Sequence, residues 1–151
     1  ELVDGYEDLH NGGCNTEGVE PFGQITSSIF CGVSGWYISA TGTQSRDTDW
    51  FEMIVPQDGY IEIIGDAEFA TYMFELGPQD CANVGVIQNV GIGPCIEGTM
   101  TIPGNVGDVV WFWVGPQTFD NEGEYAYVLR TNLGVVSTES RSWSTVKRLF
   151  R

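Results

Sequence analysis

Residues 50–64 read WFEMIVPQDGYIEII and set the pattern for most of the chain. Two runs rich in β-branched and aromatic residues, 50–55 and 60–64, flank residues 57–59 (Gln-Asp-Gly), whose composition is typical of a tight turn. In the second run Glu62 stands between apolar residues, which is the period of two that a strand imposes on its side chains. This stretch therefore predicts two β-strands joined by a hairpin turn.

Similar runs recur along the rest of the chain, separated by many of its 20 glycines. Residues 124–129 show the same period of two, and residues 121–123 (Asn-Glu-Gly) suit a second hairpin turn. About nine strands are expected: 22–30, 36–40, 50–55, 60–64, 69–76, 84–90, 98–102, 109–114 and 125–131. Without helical segments or a repeat of 20–50 residues, this pattern predicts an all-β fold, a single antiparallel β-sandwich of the jelly-roll type with extended terminal segments.

The chain divides into three parts. We expect an acidic N-terminal extension at 1–13, the sandwich domain at 14–134, and a basic aromatic C-terminal tail at 135–151 that connects subunits. A length of 151 residues with 42% hydrophobic and 13% aromatic residues fits one domain with a real core. No apolar run approaches the roughly 18 residues that cross a bilayer, so no membrane span is expected.

The cysteines favour disulfides over a metal site. There are four cysteines, without C-x-x-C spacing, and one histidine, which leaves a structural zinc site almost without ligands. We expect Cys14, Cys31, Cys81 and Cys95 all to form disulfides, and favour the pairs Cys14–Cys31 and Cys81–Cys95 because each closes a short glycine-rich loop. Free buried thiols in a cytosolic protein are the alternative. Since the sequence also begins at Glu1, as after removal of a leader, we predict a secreted, extracellular protein.

The charge distribution separates the tail from the body. The chain has 21 acidic and six basic residues, a net charge of −15, which excludes nucleic-acid binding and favours divalent cations. Residues 1–140 contain all 21 acids and two bases, a net charge of −19, whereas residues 141–151 contain four bases and no acid.

The tail interleaves these bases with apolar residues. The predicted assembly interface consists of Arg141, Trp143, Val146, Lys147, Arg148, Leu149, Phe150 and Arg151. If the tail is helical, its apolar residues lie along one side. A basic tail on an acidic body predicts docking, either on its own domain as a latch or on the next subunit, which grows head-to-tail into a filament. A membrane-surface anchor is a third, weaker interpretation, because anionic lipids repel the acidic body.

Four short motifs resemble those of a known family. Residues 11–15 (NGGCN), 31–32 (CG) and 46–51 (RDTDWF), with 123–125 (GEY) near the end, resemble a recurrent module of secreted bacterial proteins. That module is similar to pre-peptidase C-terminal (PPC-like) domains. The resemblance covers about residues 4–133 and implies a calcium-tolerant, non-catalytic accessory or adhesive sandwich.

The aspartates of the third motif suggest a calcium site. Asp47 and Asp49 lie on the same side of an extended segment, because side chains alternate along a strand. Calcium takes six to eight oxygen ligands, and the N-terminal segment offers Asp4 and Asp8 as further carboxylates. The alternative is that Asp47 and Asp49 cap a turn, with Arg46 paired to another carboxylate.

No catalytic residues are expected. A serine-hydrolase triad would have to use His10, beside glycines in the N-terminal segment, and with 21 acids the sequence singles out no glycosidase pair. Trp111 and Trp113 share one face of a predicted strand with Phe112 on the other, so an outward pair could stack on a sugar ring or on a neighbouring subunit.

The sequence thus predicts a non-catalytic extracellular structural protein whose partners are copies of itself. Its terminal segments would dock on neighbouring subunits to build a filament or surface array. The alternative is a PPC-like calcium- or carbohydrate-binding module for adhesion, with calcium as the cofactor or an extracellular polysaccharide as the partner. A glycan-active enzyme would need a cleft with a strongly perturbed pair of carboxyl groups.

Overall fold

The computed structural model describes residues 10–15, 22–39, 41–120 and 122–134. Within them a turn of 3-10 helix, Gly13–Asn15, precedes ten strands. The strands are β1 (Gly23–Gln24), β2 (Ile29–Ile38), β3 (Gln44–Asp47), β4 (Asp49–Ile54), β5 (Tyr60–Ala67), β6 (Thr71–Gly77), β7 (Gly85–Ile92), β8 (Gly98–Pro103), β9 (Val109–Pro116) and β10 (Gly123–Thr131).

The ten strands form two packed sheets of five. The first sheet has the order β1-β4-β9-β6-β7 and the second the order β3-β2-β10-β5-β8. Neighbouring strands are antiparallel, except that the two residues of β1 pair in parallel with β4. The predicted all-β sandwich is confirmed, with ten strands where about nine were expected.

Alternating side chains build the core between the sheets. Ile61 and Ile63 of β5 are fully buried, and they meet Phe112 and Val114 of β9 from the opposite sheet in the same cluster. Each such side chain contributes roughly 1.5–3 kcal/mol when it leaves water. The period of two seen in the sequence therefore marks the inward faces of the central strands.

Glycines inside a strand account for one error of prediction. The segments 22–30 and 36–40 were predicted as separate strands, whereas β2 runs without interruption through Gly32 and Gly35. A Cβ on Gly32 would overlap Cζ of Tyr127, and one on Gly35 would overlap the carbonyl oxygen of Gly123. These glycines therefore admit the neighbouring strand β10 rather than end β2.

The two predicted hairpins are also wrong. Residues 57–59 do form a tight turn, in which Gly59 has a φ of 76° and its N–H donates to the carbonyl of Pro56 at 3.0 Å. That turn, however, carries the chain from β4 in the first sheet to β5 in the second. Of residues 121–123, Gly123 already begins β10, which belongs to the other sheet than the preceding strand β9. Turn chemistry specifies a reversal of direction but not which sheet receives the next strand.

Candidate functional site

The chain crosses between the sheets at Asp47-Thr48-Asp49. β3 ends at Asp47 in the second sheet and β4 begins at Asp49 in the first, and all three residues are buried. The Tyr127 hydroxyl donates to Oδ2 of Asp49 at 2.7 Å, and the Ser34 hydroxyl donates to the carbonyl of Asp47 at 2.7 Å. Burial, and then the nearby charge of Asp49, raise the pKa of Tyr127 well above 10, so this hydroxyl remains a donor at neutral pH.

The structure describes only two of the four residues predicted to bind calcium. Asp47 and Asp49 lie in this buried crossing, while Asp4 and Asp8 lie outside the described residues. Within the described ranges, no group of three or more His, Cys, Asp or Glu side chains is placed to hold a metal. Arg46 donates to the carbonyl of Pro116 at 2.9 Å. The Asp49 carboxylate accepts from Tyr127 and Asn11, and the described bond of Arg46 is to a carbonyl, so the alternative of turn-capping aspartates with an Arg46–carboxylate pair also stays a prediction.

The predicted disulfide pairs are wrong. Cys14 pairs with Cys81, 67 residues along the chain, while Cys31 and Cys95 are exposed free thiols. Cys14 packs on the outer face of the first sheet, whereas Cys31 belongs to the second sheet. Cys81 lies in the loop before β7 and Cys95 in the loop after it, and the eight residues of β7 between them span about 26 Å at the usual rise per residue. A short separation in sequence was therefore a poor guide to pairing.

The tryptophans of β9 face outward but are covered. Phe112 enters the core, whereas Trp111 and Trp113 lie on the outer face of the first sheet and are only 7% and 6% exposed. Phe22 stacks on Trp111 with ring centroids 4.5 Å apart, and Phe74 stacks on Trp113 at 4.6 Å. In this arrangement the two tryptophans form a second aromatic cluster and not an open platform for a sugar ring.

The predicted assembly residues 141–151 lie outside the described residues, as does most of the acidic extension, residues 1–9. Docking by the tail therefore stays a prediction. Within the described residues, His10, the sole histidine, is exposed.

One lateral side of the sandwich, which we call the open side, is formed by β7 and β8. Each is the last strand of its sheet, and within the described residues neither has a strand on its other side. The 14 residues of these two strands contain no charged side chain. Val86 and Ile87 at the start of β7 are 52% and 62% exposed, and Ile96 in the loop between the strands is 62% exposed.

The opposite lateral side is different. It is formed by β1, which has two residues, and β3, which has four and includes Arg46 and Asp47. Short strands and charged side chains are the usual protection of a sheet edge against another chain. The open side has neither form of protection.

A groove lies next to the open side, on the outer face of the second sheet. Its volume is about 680 Å³, and we call it the acidic groove. Asp66 near the end of β5, Glu68 just after it and Tyr125 of β10 line the groove, while the loop between β7 and β8 contributes Pro94 and Cys95. Glu68 is fixed there, because its Oε2 accepts a hydrogen bond from the backbone N–H of Ala126 at 3.0 Å.

A smaller pocket of about 360 Å³ lies near β3. Its lining combines two aromatic rings with hydrogen-bonding side chains: Asn15, Tyr37, Gln44, Ser45, Arg46, Thr48 and Phe119. The Arg46 guanidinium stands 4.9 Å from the ring centroid of Phe119, which is itself 56% exposed. The pocket thus joins an exposed ring to a positive charge held by a cation–π contact.

The sequence prediction did not identify these three surfaces. A signal for the open side was present, because residues 81–107 contain a single charged residue, Glu97, in an otherwise strongly acidic chain. The groove and the pocket had no comparable signal, since their residues come from separate strands and meet only in the folded protein.

Comparison with known proteins leaves the family open. No family model matches the chain, and no curated protein matches it. Within the described part of the chain, no helix has the length and apolar character required to cross a bilayer. The function is therefore argued from the surfaces described above.

Proposed function

We propose that this chain is a non-catalytic extracellular structural subunit that assembles with copies of itself into a filament or surface array. Terminal segments of one subunit dock on the next, and the contact between subunits includes the open side. The observation that carries this proposal is the open side itself, two edge strands with no charged residue in a chain of net charge −15.

Electrostatics favours this side for contact between copies. Two subunits that each carry a net charge of −15 repel one another over most of their surfaces. The repulsion is weakest where charged side chains are absent, which is along β7 and β8. Wrong orientations are thus disfavoured by like charge, while apolar residues such as Val86 and Ile87 gain from leaving water.

The backbone of the open side adds a second attraction. As the last strand of its sheet, the eight-residue β7 offers backbone N–H and C=O groups with which another strand can pair, although its register against β6 shifts at Ile87. Strand addition of this kind supplies main-chain hydrogen bonds. A single strand edge is smaller than the roughly 800 Å² per partner of a stable interface, so a further contact is required, and the terminal segments are suited to provide it.

An extracellular location is supported by the Cys14–Cys81 disulfide, since such bonds persist in oxidising compartments. The same bond joins the segment before β1 to the loop between β6 and β7 and so stabilises a subunit that works outside the cell.

Sedimentation velocity of the full chain over a range of concentrations tests this proposal. Ile87→Glu places a charge on the open side and should shift the chain toward monomer. Ile54→Glu is the matched control, because Ile54 is 56% exposed and belongs to β4, away from that side. Equal sedimentation of the Ile87→Glu variant and the unaltered chain would contradict a contact through the open side.

A PPC-like carbohydrate-binding module is the second candidate, and the pocket at Arg46 favours it. Sugars bind proteins through aromatic rings flanked by hydrogen-bonding side chains, which is the composition of this pocket. Electrophoresis in gels containing soluble polysaccharides would show retardation of the chain and its loss in Phe119→Ala. Val106→Ala, a truncation at a residue 52% exposed elsewhere, should leave the retardation unchanged. Unretarded migration in every polysaccharide would exclude this candidate for the sugars used.

A further inference from the structure

We infer that the acidic groove is the acceptor for the basic aromatic tail, residues 141–151, of a second copy of this chain. The inference rests on the proposed self-assembly and names the two surfaces that form its head-to-tail contact. Its basis is the match between the groove and the tail in charge, in aromatic character and in position.

The carboxylates of the groove have no cationic partner in the described structure. Only two basic residues lie outside the tail, Arg46 and Arg130. Arg130 forms an ion pair with Glu97, and Arg46 belongs to β3 at the opposite lateral side. Among the described residues, therefore, neither Asp66 nor Glu68 has an ion pair.

The tail supplies what the groove lacks. Residues 141–151, the last eleven of the tail, carry four bases and no acid, and they are the one strongly positive stretch of the sequence. Trp143 and Phe150 add aromatic rings, and Tyr125, whose own ring packs against Trp36 and Phe69, is still 38% exposed and lines the groove. Aromatic contacts of this kind contribute about 0.5–1.5 kcal/mol beyond the burial of area, and bidentate arginine–carboxylate pairs add orientation.

The position of the groove favours a second copy over the chain's own tail. The groove and the open side share the loop between β7 and β8, which contains Pro94, Cys95 and Ile96, so one neighbour can cover both surfaces. In addition, β10 passes the groove at residues 125–128 and then runs away from it to Thr131. A neighbouring subunit that covers the open side therefore also has access to the groove.

Cysteine trapping in the full chain tests the inference, because Cys95 already lines the groove. The variant Ser144→Cys keeps every base and aromatic residue of the tail, and Cys31→Ser removes the other free thiol. Equal amounts of ¹⁵N-labelled and unlabelled chains are mixed, oxidised with glutathione disulfide and digested without reduction. Mass spectrometry should then detect a peptide that joins position 95 of a labelled chain to position 144 of an unlabelled one.

A pair of charge variants keeps the test specific to the groove. Asp66→Asn with Glu68→Gln should lower the yield of the mixed cross-link about fivefold, which corresponds to about 1 kcal/mol of binding free energy. Asp58→Asn with Glu62→Gln removes two exposed acids elsewhere and should leave the yield unchanged.

Three results would overturn the inference. They are cross-links only within a single chain, an equal yield after loss of Asp66 and Glu68, and no cross-link while polymers still form. A chain without cysteine substitutions that stays monomeric at every concentration would instead refute the proposed function. The two failures are therefore distinguishable.

Discussion

Removal of one hydroxyl group at Tyr127 should measurably destabilise the sandwich. Tyr127 is 1% exposed, and its hydroxyl joins β10 of the second sheet to Asp49 of the first through a 2.7 Å hydrogen bond. In Tyr127→Phe the ring still packs over Gly32, but the buried carboxylate loses a donor. A hydrogen bond to a charged group contributes about 1.5–3 kcal/mol, so we expect a loss of about 2 kcal/mol.

Urea unfolding followed by tryptophan fluorescence measures this loss of free energy. In thermal unfolding the Tm should fall by about 4–8 °C. Tyr125→Phe provides the matched control on the same strand, because that side chain is 38% exposed and should change the free energy of unfolding by less than about 0.5 kcal/mol. A loss at position 127 no larger than at position 125 would refute the structural role of the Tyr127–Asp49 bond.

Three further predictions concern stability. Because the folded pKa of Tyr127 is well above 10, the unfolded chain loses this proton first as the pH rises. The contribution of Tyr127 to the free energy of unfolding is therefore intact below pH 10 and then falls by about 1.4 kcal/mol per pH unit. The free energy of unfolding of Tyr127→Phe should decrease less steeply at alkaline pH, and an equal decrease would contradict this. Replacing Cys14 and Cys81 with serine should cost about 4 kcal/mol in urea unfolding, as expected for a loop closed over 67 residues, and a loss below about 1 kcal/mol would contradict it. Gly32→Ala should cost about 1–3 kcal/mol through overlap with the Tyr127 ring, whereas Gly85→Ala, with its nearest atom at 3.9 Å, should be nearly neutral; equal costs at the two positions would contradict the proposed overlap.

The sequence predicts the central strands well because their apolar residues leave a recognisable pattern. β5 contains the predicted residues 60–64 and alternates in burial, whereas β9, predicted at 109–114, is buried on both faces and was recognised from its β-branched and aromatic composition. β3 was not predicted, since its four residues, Gln44–Asp47, are polar and carry no apolar period. Local composition thus predicts the strands that pack against the core but does not predict a short polar edge strand such as β3.

Contacts between distant segments were beyond local pattern. The Cys14–Cys81 bond and the close approach of Tyr127 to Gly32 both join segments more than 60 residues apart. The Asp47–Asp49 motif was singled out for calcium, which stays a prediction, and its described hydrogen bonds come from Tyr127 and Ser34 on other strands. The groove at Asp66 and Glu68 exists only because two strands and the loop after β7 meet there.

Negative-stain electron microscopy of the full chain tests self-assembly most directly. The proposed function predicts polymers with a repeating subunit, and their loss when residues 137–151 are deleted. Fields without polymers at any concentration of the full chain, or polymers that form equally well after the deletion, would contradict assembly through the terminal segments.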